Sequence, residues 1–94
     1  MTIIHVLKCW PEYYQAISQG LKTWEIRKND RYYRVGDILH LRSWDPETRT
    51  YLPGELRVRV TYLTGLSFLG GTSSGSGLPG YVGMSIELMA EGGE

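Results

Sequence analysis

Residues 55–63 read Glu55-Leu56-Arg57-Val58-Arg59-Val60-Thr61-Tyr62-Leu63. Apolar and polar side chains alternate throughout, the period-two signature of a half-buried strand. The pattern predicts Leu56, Val58, Val60 and Tyr62 against a core and Glu55, Arg57, Arg59 and Thr61 in solvent. A chain with one face of this strand buried is built around a sheet, and its neighbours repeat the signal. Upstream, 38–44 (ILHLRSW) points Leu39 and Leu41 inward and His40 and Arg42 outward. Downstream, 81–89 (YVGMSIELM) points Val82, Met84, Ile86 and Leu88 inward.

Further out, 22–28 (KTWEIRK) is a strand with Lys22, Trp24 and Ile26 on one face and Thr23, Glu25 and Arg27 on the other. Residues 3–8 (IIHVLK) are β-branched and apolar, a short first strand. Between these two the period changes. Pro11 suits a first helical turn and Glu12 its positive end, while Tyr13, Ala16 and Ile17 recur at helical spacing before Gly20. A helix over 11–19 follows, its tyrosines read as packing residues. Asn29-Asp30 and Val35-Gly36-Asp37 are turns, and 45–54 is a connection ending at Pro53-Gly54. Residues 65–80 hold six of the twelve glycines together with serines, which predicts a mobile loop pinned by Leu66, Phe68 and Leu78. An acidic, glycine-rich tail at 90–94 is expected to fray.

The order β-α-β-β-β-β places the fold in the mainly β (α+β) class: about five strands in a small open barrel, with one short helix after the first strand. Tandem strands with short connections predict antiparallel neighbours. At 94 residues and 10.7 kDa the chain is expected to form a single domain. Its 41% hydrophobic and 21% charged composition excludes uniform disorder. One cysteine, Cys9, excludes an internal disulfide framework and any multi-cysteine zinc site. No apolar run reaches the roughly 18 residues of a membrane helix, and the N-terminus shows no signal-peptide pattern, so a cytoplasmic protein without membrane contact is expected. The zero net charge hides a dipolar chain. Residues 1–43 carry seven Lys/Arg against four Asp/Glu, and 44–94 carry three against six.

Standard enzyme motifs are absent: no HExxH, GxSxG or phosphate-loop pattern occurs. His5 and His40 lack metal-ligand spacing, and Cys9 beside Trp10 reads as a buried structural thiol. Neither metal nor cofactor is expected. One segment is different: Gly20-Leu21-Lys22-Thr23-Trp24-Glu25-Ile26-Arg27. Glu25 and Arg27, two apart on one strand face, predict an ion pair that anchors a guanidinium for phosphate or a base edge. Lys22 adds a flexible cation and Trp24 a stacking surface. An ordinary surface salt bridge with Trp24 in the core is the alternative reading of the same spacing.

Gly20, Lys22, Glu25 and Arg27 satisfy a GxKxxExR pattern that resembles the signature of ASCH domains of the PUA-like superfamily. With His5 to Lys8, Trp10 to Tyr13, Lys22 to Arg31 (KTWEIRKNDR) and Val35 to Leu39, the chain resembles a small bacterial and phage subfamily of unknown function, DUF3850. The likeness covers about residues 5–64, and 81–88 fits a closing strand. It implies a small β-barrel with helices at its rim and RNA binding through a cleft lined by the GxKxxExR residues. It also supplies an enzyme alternative, since some small ASCH proteins hydrolyse N4-acetylcytidine with a Lys–Thr–Glu set. Lys22 matches that lysine, but Glu25 stands in the place of the threonine nucleophile, and a carboxylate does not replace an activated hydroxyl.

The expectation is therefore a nucleic-acid-binding module for RNA or a nucleotide. Lys8, Lys22, Arg27 and Arg31 contact phosphate, Glu25 orients Arg27, and Trp24 or a neighbouring tyrosine stacks a base. The competing expectation is an amidohydrolase acting on an acylated or modified nucleoside through Lys22 and Glu25. A third is an interaction protein with a vestigial cleft.

Overall fold

The computed structural model describes residues 2–66 and 80–89. Most of the predicted loop and all of the 90–94 tail lie outside this range. Five strands and one helix follow the expected order: β1 (Ile4–Cys9), α1 (Pro11–Ser18), β2 (Trp24–Lys28), β3 (Ile38–Asp45), β4 (Thr50–Gly65) and β5 (Tyr81–Leu88). The class is mainly β, a single sheet curled into a half-barrel. Leu39, Leu41, Val58, Val60, Met84 and Ile17 are almost wholly buried at its centre. This core confirms the inward faces predicted for the middle strands.

The pairing departs from a simple meander. The sheet runs β1-β3-β4-β5-β2, so β2 pairs with the last strand rather than with β3. β1 and β3 are parallel, and the other pairs are antiparallel. Residues 29–37 make the crossover from β2 to β3. Asn29 N–H donates to Gly80 O at 2.6 Å, and its side chain accepts from Tyr33 N–H at 3.2 Å. Tyr32 takes a positive φ of 51°. The chain is thereby carried across the open end of the sheet to the far side. β1 and β2 become the two free edges, facing each other across the opening.

Two inward assignments fail for local reasons. The register slips between Val60 and Tyr62, so Tyr62 is 66% exposed and Leu63 packs against the core in its place. Leu88 ends β5 at the rim and is half exposed. The 45–54 connection is shorter than expected because β4 begins at Thr50, where Asp45 and Thr50 are already paired. Asp45 builds the turn: its carboxylate accepts from Glu47 N–H at 2.9 Å and its carbonyl from Arg49 N–H at 2.7 Å.

Candidate functional site

The helix end sets the site's position. Gly20 has a φ of +76°, its N–H donates to Ile17 O, and Leu21 N–H donates to Ala16 O. This pairing of bonds is a Schellman closure, which stops the helix and reverses the chain. Lys22 N–H also bonds Ala16 O, and the lysine is delivered to the mouth of the opening just ahead of β2.

On β2 the alternation turns Glu25 inward, where it is only 5% exposed. A buried carboxylate is stable only with partners. Here it has two: Lys22 Nζ at 2.7 Å from Oε1 and Arg27 Nε at 2.7 Å from Oε2. The predicted Glu25–Arg27 pair is present. Lys22, expected on the opposite face, joins it because it precedes the strand and is free to reach around. Its ammonium also donates to Trp24 O at 2.8 Å and stands 4.5 Å from the Trp24 ring centre and 5.3 Å from that of Tyr13.

Arg27 has a second role. Its Nη2 donates to Lys8 O at 2.7 Å, and Arg31 Nη1 donates to Val6 O at 3.2 Å. Both carbonyls belong to the free edge of β1. Arg27 thus bridges from β2 to the edge of β1, and Arg31, on the segment that follows β2, adds a second side-chain tie to the same edge. Arg31 serves that seam and lies outside the cleft lining.

Above the triad is a cleft of about 550 Å³. Its charged lining is Lys8, Lys22, Arg27 and Lys28 against Glu25 alone. Its aromatic lining is Trp10, Tyr13, Trp24 and Tyr81. Trp24 is 52% exposed, which decides its role against core packing. Trp10 and Tyr13 stack on each other, with 6.0 Å between ring centres. The helix tyrosines therefore divide. Tyr14 packs on the core, whereas Tyr13 faces the cleft. The i, i+3 spacing of Trp10 and Tyr13 against that of Tyr14 and Ile17 was the available signal.

Cys9 lines the cleft floor as a free, buried thiol. Burial, reinforced by the nearby Glu25 charge, pushes its pKa up to about 11 despite the opposing pull of Arg27 and Lys22. It is a thiol at neutral pH and a poor nucleophile. No group of three or more potential metal ligands exists among the described residues. His5 and His40 are apart, paired instead with Asp37 at 2.8 Å and Glu55 at 2.6 Å. No helix among the described residues is long and apolar enough to cross a membrane.

The family described as Domain of unknown function (DUF3850) matches residues 4–75. The chain belongs to this family. The DUF3850 match contains every cleft residue except Tyr81. A protein of Escherichia phage P2, described as "Uncharacterized 12.9 kDa protein in GpA 3'region", is 34% identical over 67 residues, 71% of this chain. The DUF3850 chain spans 60% of that relative's length. Among solved structures, hypothetical protein PH0355 matches with a TM-score of 0.58 at 22% identity, covering 95% of this chain and 100% of that one. At such identity the likeness shows a shared fold.

Proposed function

We propose that the cleft binds nucleic acid or a nucleotide, stacking a base on Trp24 or on the Trp10–Tyr13 pair and holding phosphate with Lys22, Arg27 and Lys28. One observation carries this reading: the carboxylate of the cleft is engaged by two of its own cations. Glu25 is held by Lys22 and Arg27, so the cleft offers a ligand N–H donors, positive charge and exposed ring faces. A planar, acceptor-rich, anionic ligand matches that offer, and a nucleotide has all three properties. The resemblance of the GxKxxExR segment to ASCH domains of the PUA-like superfamily supports the same reading, with RNA as the first ligand to test. The amidohydrolase alternative has less behind it. Among the described residues the lining holds no serine or threonine, Cys9 is protonated, and the Lys22 ammonium is ion-paired.

Tryptophan fluorescence tests the proposal directly. Titration with a single-stranded RNA octamer should quench emission, with a log–log salt slope of about −2 to −3 from three or four phosphate contacts. Arg27→Ala and Trp24→Leu should each weaken binding about tenfold, whereas exposed Arg34, outside the cleft, tolerates Ala. Absence of quenching by both octamer and mononucleotide would overturn the reading. N4-acetylcytidine should survive incubation unchanged. Turnover abolished by Lys22→Ala but not by Cys9→Ala would establish the hydrolase instead.

A further inference from the structure

We infer that the cleft is one end of a longer track, and that the ligand is a single-stranded nucleic acid running from the cleft over the outer face of β1, β3 and β4. The inference rests on the reading of the cleft given above. Lys8 joins the two regions. It lines the cleft and its carbonyl accepts from Arg27, yet its ammonium stands 3.9 Å from the ring centre of Trp44 on the outer face. Register carries the surface onward, because Lys8 lies beside Arg42, and Trp44 beside Tyr51. The Arg42 guanidinium sits 3.9 Å from the Tyr51 ring centre, and the Trp44 and Tyr51 rings meet edge to face at 4.8 Å.

The partnering of these cations is the decisive detail. Arg42 lies opposite Glu55 in register, where a cross-strand ion pair is the ordinary outcome. Glu55 instead bonds His40, and Arg42 lies on an aromatic ring. Among the described residues neither Arg42 nor the Lys8 ammonium has a carboxylate partner. Two cations on aromatic rings, the Tyr51 ring half-exposed and the Trp44 ring less so, with no hydrogen bond from either charged group among the described residues, form the pairing of charge and stacking surface that follows a single strand. From β1 to β4 the patch spans two strand spacings, about 10 Å, beyond the reach of a base held in the cleft.

The test compares uridine monophosphate with an eight-nucleotide oligouridylate on the intact protein. The octamer should bind at least about tenfold more tightly, one extra stacked base being sufficient. Trp44→Leu and Arg42→Gln should each lower octamer affinity about fivefold or more while leaving the mononucleotide within about twofold. Arg42→Gln removes charge from the surface alone and serves if Trp44→Leu disturbs the hairpin. Equal affinity for the two ligands, or a length effect that both variants leave intact, would overturn the track while the cleft reading stands. Polyglutamate binding as tightly as the octamer would also overturn it, since charge alone would then suffice. No binding of either nucleotide ligand would remove both.

Discussion

Glu25 decides the character of the site. An inward carboxylate on a short edge strand would be costly alone, and its two cations make it the hub of a triad. Both cations lie at the cleft mouth, with side chains 12% and 24% exposed, so part of their charge is solvated. Glu25→Gln should therefore cost about 2–3 kcal/mol, below the full penalty of stranding a buried ion. Urea unfolding would show it as a lower midpoint at unchanged slope. An unchanged midpoint would mean that the triad contributes nothing to the fold. The neighbouring Cys9 thiol, with its pKa near 11, should resist alkylation at pH 8 until the protein unfolds.

Among the elements, the β3–β4 hairpin carries most of the outer face, and its irregularities are built in. Between Arg42 and Trp44 the register shifts as Leu52, Pro53 and Gly54 pass opposite. Gly54 has a φ of +121°, and a Cβ there would lie 2.5 Å from the Tyr14 hydroxyl oxygen and 2.9 Å from its Cζ. The helix thus packs against bare backbone of β4. Gly54→Ala combines strained backbone with this clash and should destabilise by about 2–3 kcal/mol. Thermal melting would show the loss, and a wild-type midpoint would show that the helix can move aside. Similar local causes explain which assignments along the strands held. Val58 and Val60 follow simple alternation. Tyr62 does not, because one extra residue at a bulge turns every later side chain to the other face.

For the molecule as a whole, side-chain bonds tie β1 down on both of its sides. Near the cleft the arginine seam joins β2 to β1. On the other side Asp37 gathers β1 and the approach to β3: His5 Nε2 donates at 2.8 Å, Arg34 N–H at 3.1 Å and Ile3 N–H at 3.4 Å. Burial alone would raise the Asp37 pKa, but these bonds together outweigh it and hold the carboxyl below its ordinary value of 3.8. A depressed carboxylate stabilises the fold above its unfolded pKa, and that stability fades as pH falls through the folded one. The penalty of Asp37→Asn in urea unfolding should accordingly be larger at pH 6 than at pH 3. An equal penalty at both would show that ionisation of Asp37 is not what holds this side.

The elements, most of the core and the Glu25–Arg27 pair were legible along the chain, because each depends on residues a few positions apart. Period two in 55–60 and the Pro11-to-Gly20 punctuation are local physics, readable without a partner. The pairing of β2 with β5 was decided only in three dimensions, since strand order depends on how 29–37 crosses the sheet. The same holds for the arginine seam and for the meeting of Lys8 with Trp44. These contacts join residues 19 to 36 positions apart, and no periodicity encodes them. The sheet must first curl and bring its two edges together, and only then does a run of basic and aromatic residues become a cleft.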